Sequence, residues 1–330
     1  MADTTIGWAD KVWNPLVGCS RVSPGCTQCY AENEAYHLGE KMRQVKYAGL
    51  TKLVGGDPRW TGEVRLWEPI LHQPTQWKKP RRIFVNSMSD LFHESVPDLW
   101  IDKIFAVMAQ ASWHTFQVLT KRAARMREYC AGMAALSPQS RTLRLSRAMY
   151  RGHPAETLVS SSANESFIGA LEWPRPNVWL CVSAEDQAAA DERIPLLLGT
   201  PAAIRGVSYE PALGPVDFRR WLKPHWYGTG EMFSERPTVP ALDWVIVGGE
   251  SGSAARPFDI EWARRTVDQC REAGVACFVK QLGSGMSMHT DRGRGRHVRD
   301  GDRMLIIESH KGTDPDEWPQ EIRVQEFPLG

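Results

Sequence analysis

The sequence predicts an α/β protein, a partial or closed (β/α) barrel of six to seven parallel strands. Three observations carry that expectation. Short apolar runs of strand length alternate with helical stretches, each run ends in polar residues, and the unit recurs along the 330 residues. Parallel neighbours need crossover connections, so the alternation implies parallel pairing through right-handed helices. That many units favour a TIM-barrel-like closure over an open sheet.

The elements follow in order. Residues 82–90 (RIFVNSMSD) read as a buried strand with a polar end. The spacing then predicts a helix over 97–111 with Ile101, Ile104, Phe105 and Met108 on one face. Residues 114–121 (HTFQVLTK) form the next strand and run into an Arg-rich helix. Residues 177–182 (NVWLCV) end in Ser183-Ala184-Glu185-Asp186 and lead into an Ala-rich helix. Residues 203–209 end at Glu210-Pro211, and 242–247 end at Gly248-Gly249-Glu250. A helix opens at Asp259 as N-cap and stops at Gly274, and 275–279 end in Lys280-Gln281. Stretches near 135–172, 222–240 and 283–303 lack this rhythm and read as loop insertions in a single domain spanning 1–330.

Composition narrows the class. Hydrophobic residues at 42% and charged residues at 24% suit a globular domain, and a net charge of +1 gives no global field to recruit nucleic acid or a membrane. The amino terminus lacks a basic region followed by an apolar core, and no run of about 18 apolar residues occurs. No membrane contact is expected, and the cytoplasm is the expected compartment. Seven cysteines, an odd number without a secretion signal, argue against a disulfide framework.

Three of them, Cys19, Cys26 and Cys29, crowd into one segment with the spacing C-x6-C-x2-C. Gly18, Pro24 and Gly25 make a turn-rich loop there. Cys29 opens a helix with Ala31, Ala35, Leu38 and Met42 on one face, so two thiols lie near its positive end. A structural zinc site normally wants four ligands. A [4Fe–4S] cluster on three thiolates leaves one iron open for a ligand, which makes it the preferred reading. A zinc ion completed by His37 or His93, or three unligated thiols, are the alternatives. Cys181 and Cys270 read as buried packing residues, and the gap from Cys270 to Cys277 spans a helix end and carries no motif.

Chemistry in a (β/α) barrel gathers at the carboxyl ends of the strands. Asp90, Lys121, Glu185, Glu210 and Lys280 are therefore catalytic candidates. Gly248, Gly249, Glu250, Ser183 and Asn86 are cofactor-binding candidates, with Asn14 a weaker one. Each taken singly also suits an ordinary ion-paired residue. Arg122, Arg125, Arg127, Arg141, Arg144, Arg147 and Arg151, and then Arg292, Arg294, Arg296 and Arg299, form two basic clusters. They suit phosphate contacts with DNA or RNA, or solvated faces.

The loop WNP-x3-C-x3-SPGC-x2-CYA, together with FVNSMSDLFH, VSAEDQ, SYEPALGPV and WVIVGGESG, resembles the phage- and bacteria-associated three-cysteine-motif family of uncharacterised proteins. That family is itself similar to radical S-adenosylmethionine (SAM) enzymes, and the matching blocks span roughly residues 6 to 282. The resemblance implies a radical-SAM-like partial barrel with a [4Fe–4S] cluster on the three cysteines. SAM would occupy the open iron, an electron donor would reduce the cluster, and a 5′-deoxyadenosyl radical would abstract a substrate hydrogen. With the basic clusters, it suggests modification or repair of nucleic acid, reminiscent of the spore photoproduct lyase branch. Two features depart from the pattern. Six residues rather than three separate the first two cysteines, and Gly248-Gly249-Glu250 follows a late strand instead of the second. The rival expectation is a binding or regulatory protein that uses a metal only to pin its amino-terminal loop.

Overall fold

The computed structural model describes residues 4–149, 171–222, 240–252, 254–284, 296–300, 303–307 and 309–328. In chain order, β1 (Lys11–Trp13) and β2 (Leu16–Val17) precede the cysteine loop and α1 (Tyr30–Tyr36). A hairpin of β3 (Thr51–Val54) and β4 (Asp57–Trp60) follows, then β5 (Arg65–Leu66) and β6 (Arg82–Val85). Next come α2 (Asp98–Gln110), β7 (Thr115–Thr120), α3 (Ala123–Ala135) and α4 (Pro138–Met149). The later elements are β8 (Val178–Ser183), α5 (Gln187–Leu198), β9 (Ile204–Tyr209) and β10 (Trp244–Gly248), then α6 (Ile260–Ala273) and β11 (Ala276–Gln281). Finally β12 (Arg296–Asp300) and β13 (Arg303–Ile307) form an antiparallel pair.

Seven of these strands make one sheet in the order β1-β6-β7-β8-β9-β10-β11. Its pairs run parallel, as at Val12↔Phe84, Phe84↔Gln117, Val245↔Val207 and Ile246↔Phe278. The fold is α/β, and the sequential strand order is that of a partial barrel. Contacts group the chain into two compact units. One comprises Met1–Val22, Cys29–Cys181 and Thr200–Ala203, the other Ser23–Gln28, Val182–Gly199 and Ile204–Gly330. The division falls within β8.

The core forms for the reasons the periodicity gives. Ile101, Ile104, Phe105 and Met108 of α2 are all buried, and each such side chain contributes roughly 1.5–3 kcal/mol on leaving water. Parallel strands covered on both faces read as near-continuous apolar runs, and all six residues of β8 and all five of β10 are buried. Trp244 is fully buried and packs on Phe278 and Phe327. Asp259 caps α6 by accepting from the Glu261 amide, and Gly274 ends that helix at φ 70°.

Several expectations are corrected. The first sheet strand, β1, is only three residues long and escapes a periodicity test. Residues 135–172 contain α4, whose buried Arg141, Leu145 and Ala148 recur at helical spacing. Residues 283–303 contain β12 and the start of β13. Residues 150–170, 223–239 and 285–295 lie outside the described residues. Met42 is 56% exposed because α1 ends at Tyr36 in a wider turn over His37–Lys41, which rotates Met42 off the Ala31–Ala35 face. No helix among the described residues is long and apolar enough to cross a membrane.

His114 gives the fold a pH dependence. Its Nδ1 accepts from the Arg81 amide at 3.1 Å and its Nε2 donates to the Pro74 carbonyl at 3.1 Å, a pattern only the neutral ring can make. Burial, with Arg81, holds its pKa below the ordinary histidine value. The stabilisation is therefore complete above about pH 6.5 and is lost as pH falls further, because the unfolded chain binds a proton that the fold rejects. Urea midpoints should be lower at about pH 5.5 than at about pH 7.5, and His114→Gln should flatten part of that difference. Equal midpoints in the parent protein would refute this.

Candidate functional site

The cysteine loop continues from the carboxyl end of β1. Gly18 bridges to Ser89, beyond the carboxyl end of β6, and its amide donates to the Met88 carbonyl at 3.2 Å. Cys19 thus begins where the second sheet strand runs out, among the polar residues 86–90. Cys19 and Cys29 both pack against one apolar cluster that includes Val17, Ala31, Ala35, Leu50 and Met88. Cys29 is the N-cap residue of α1. That helix is tied down by buried Glu32, which pairs with Arg21 and Arg59 and accepts from the Trp60 amide.

Arg122, immediately after β7, organises the surroundings of Cys19. It is buried, donates to Asp90 Oδ2 at 3.1 Å and to both oxygens of Glu94 at 2.8 and 2.9 Å. It also reaches Ser20 Oγ at 2.8 Å and Cys19 Sγ at 3.8 Å. Burial works against its charge, but Asp90, Cys19 and Glu94 outweigh that and hold its pKa above the ordinary guanidinium value. Burial, reinforced by the Asp90 charge and opposed by Arg122, pushes the Cys19 thiol up to about 12. A metal binding there displaces a proton from a thiol, and the Arg122 hydrogen bond favours the thiolate that results.

Asp90 is a structural hub. It accepts from Phe92 N, Thr120 Oγ1 and Lys121 N as well as Arg122, which consumes its acceptor capacity. Ser20 Oγ lies 2.8 Å from His93 Nε2, which invites a serine–histidine reading. The Ser95 amide donates to His93 Nδ1 at 3.1 Å, so the neutral ring carries its proton on Nε2 and donates to Ser20. Burial and Arg122 hold His93 below its ordinary pKa, consistent with that neutral form. His93 is therefore neither a base toward Ser20 nor a free fourth metal ligand, and His37 is exposed in the turn after α1.

The turn Ser23–Gln28 has its own clamp. Pro24–Cys26 is a single 3₁₀ turn in which the Cys26 amide donates to Ser23 O at 2.9 Å, with Ser23 Oγ 3.9 Å from Cys26 Sγ. Glu185, fully buried after β8, accepts from the Gly25 amide at 3.3 Å and from Arg193 at 2.9 Å. A Cβ on Gly25 would stand 2.9 Å from the Glu185 carboxyl carbon, so only glycine admits this approach. Glu250 binds Arg256 through both carboxylate oxygens, and Arg256 in turn donates to the Pro24 carbonyl at 2.9 Å.

The strand-end candidates accordingly fall into ion pairs. Glu210 pairs with Lys280 at 3.0 Å, Glu185 with Arg193, Glu250 with Arg256 and Asp90 with Arg122. Gly249 is a packing glycine, since a Cβ there would meet the Leu282 carbonyl at 2.4 Å, and Gly248 lies against the Glu210 carboxylate. The Ser183 carbonyl accepts from Arg193, and the Lys121 amide is bound to Asp90. Asn86 is buried at φ 63°, and its Oδ1 accepts from the Leu16 amide. Arg122, Arg193 and Arg256, which engage these carboxylates, were not among the sequence candidates for this site. Only Arg122 stood out in the sequence, as part of a basic cluster. Within that cluster, Arg125 and Arg144 pair with Asp98, and Arg141 donates to the Leu136 and Leu171 carbonyls.

As a metal centre, the donor chemistry fits. Cys19, Cys26 and Cys29 are the part-exposed cysteines, whereas Cys130, Cys181, Cys270 and Cys277 are buried. Among the described residues no three His, Cys, Asp or Glu side chains stand grouped as they would around a metal ion. Buried Cys270 and Cys277 do come close to one another, although helix end and strand separate them in sequence.

A family model described as "Protein of unknown function (DUF5131)" matches residues 3–307. No curated protein and no solved structure matches the chain.

Proposed function

Since the chain belongs to that family, whose function is unknown, we propose from its own residues that it is a radical-SAM-like iron–sulfur enzyme. The observation that carries the reading is the position of the three-cysteine loop. It leaves the carboxyl end of β1, bridges to the polar end of β6, and keeps its thiols part-exposed while every other cysteine is buried. That end of a parallel α/β sheet is where cofactors and substrates are held.

Cys19, Cys26 and Cys29 would hold a [4Fe–4S] cluster. Such a cluster with three thiolates leaves one iron for SAM and, once reduced by an electron donor, supplies the electron that generates a 5′-deoxyadenosyl radical. The chain's own residues prepare the site. Arg122 places a guanidinium beside Cys19, which offsets part of the negative charge of a thiolate-bound cluster. The Glu185 and Arg256 contacts fix the backbone of the turn that presents Cys26. The apolar cluster under Cys19 and Cys29 excludes water from one side. His93, with both ring nitrogens engaged, does not close the site as a fourth ligand. Ion pairing of the strand-end acids makes them positioning groups that fix this end of the sheet. A nucleic-acid substrate is part of the same reading.

Purification without air followed by reconstitution should give a brown protein with about four irons per chain, and dithionite with SAM should release 5′-deoxyadenosine. Cys26→Ala should lose that iron, whereas Cys130→Ala, at a buried packing position, should keep it. A colourless protein with stoichiometric zinc would overturn the reading. An iron protein that never cleaves SAM would favour a metal-pinned binding or regulatory role.

A further inference from the structure

Beside Cys29 a group of hydrogen-bond donors is left over by the folding network. Lys46 is part-buried and its Nζ donates to the Asn14 carbonyl at 3.1 Å, just past the carboxyl end of β1. Asn14 Oδ1 accepts from Ser87 Oγ at 3.2 Å, just past β6. The Ser87 carbonyl accepts from Tyr30 Oη at 2.7 Å, and Tyr30 is the residue after Cys29. Lys46, Asn14, Ser87 and Tyr30 therefore form one continuous contact chain across two strand ends.

Its charge and hydrogen-bond balance is one-sided. Among the described residues no carboxylate stands within ion-pair distance of Lys46, although nearly every other buried or half-buried cation near the strand ends has one. Burial alone pulls the Lys46 pKa down to about 8, so an anionic partner would relieve a cost the fold now carries. The Asn14 side-chain nitrogen donates to none of the described residues. A lysine and a neighbouring amide donor with unused hydrogens, without a balancing acid, call for a ligand rich in anionic oxygens. Next to them the Tyr30 side chain is fixed by its hydroxyl yet 52% exposed, a flat surface suited to stacking a base.

We propose that Lys46 and Asn14 form a phosphate subsite and Tyr30 a base platform, so that the site takes a nucleotide unit, either free or within a single strand. This deepens the proposed function by naming the substrate class, and rests on that reading only for its place beside the cluster.

Binding of a short fluorescein-labelled single-stranded DNA and, separately, of AMP should be measured over a range of salt, on full-length protein as purified and after reconstitution. Lys46→Gln should weaken binding roughly tenfold and reduce the salt slope for the strand by about 0.7, one phosphate contact. Lys46→Arg should keep the slope. Tyr30→Ala should weaken binding about fivefold or more without changing the slope, the signature of lost stacking. Lys52→Gln, on the exposed face of the β3–β4 hairpin, should match the parent. Lys46-dependent binding of AMP assigns a free nucleotide, and binding of the strand alone assigns nucleic acid. Absence of binding by both probes, or equal losses for Lys46→Gln and Lys52→Gln, overturns the subsite. SAM cleavage without Lys46-dependent binding defeats this inference and leaves the radical reading standing. Lys46-dependent binding without SAM cleavage does the reverse.

Discussion

Replacing Arg122 with methionine is expected to lower the unfolding free energy by about 3–5 kcal/mol, the range for breaking a buried ion pair from one side. Methionine fills a similar volume, so the loss is electrostatic and not a cavity effect. It leaves Asp90 buried with an uncompensated charge and strips Ser20 of a donor. The Glu94 contact adds little, because that carboxylate is 65% exposed and screened by solvent. Asp90→Asn in the Arg122→Met background should recover part of the loss, because the neutral amide no longer needs a cation. Denaturant titration of the parent, Arg122→Met, Asp90→Asn and the double variant gives the coupling directly. A loss below about 1 kcal/mol for Arg122→Met would mean that the pair is solvated in a way the contacts do not indicate.

Glu185→Ala should cost a similar amount, about 3–5 kcal/mol, and for a parallel reason. Arg193 is as buried as its partner, at 5% side-chain exposure against 1%, and its Nε already lacks a hydrogen-bond partner. Removing the carboxylate leaves that guanidinium with only the Ser183 carbonyl and frees the Gly25 amide. Glu185→Gln should fall between the parent and Glu185→Ala, since the amide oxygen can still accept from Gly25 while the ionic attraction to Arg193 is gone. The two substitutions separate fold from site. If Glu185 positions the cysteine turn, iron retention after reconstitution should follow the order parent, Gln, Ala at temperatures where all three remain folded. Full iron retention in a folded Glu185→Ala protein would confine Glu185 to stability.

The position of the strands and the identity of the cysteines were available from local order alone. Buried parallel strands must be apolar over several residues, and α6 must be capped where its backbone groups run out. The runs at 82, 115, 178, 204, 244 and 276, and the Asp259 and Gly274 caps, are therefore written in neighbouring residues. The three part-exposed thiols lie within eleven residues of one another, so their spacing too is local.

Partner choice was not available. Glu185 finds Arg193 and Gly25, 8 and 160 residues away, and Arg256 reaches back 232 residues to Pro24. Whether a strand-end acid is an open reactive group or half of a buried ion pair depends on what the sheet order carries to it, and no window of sequence holds that information. The same holds for Lys46, which reads as one more surface lysine until the chain between β1 and β6 folds its ammonium onto Asn14, with no acid beside it among the described residues. Charges act through space, and only the tertiary structure decides which of them meet.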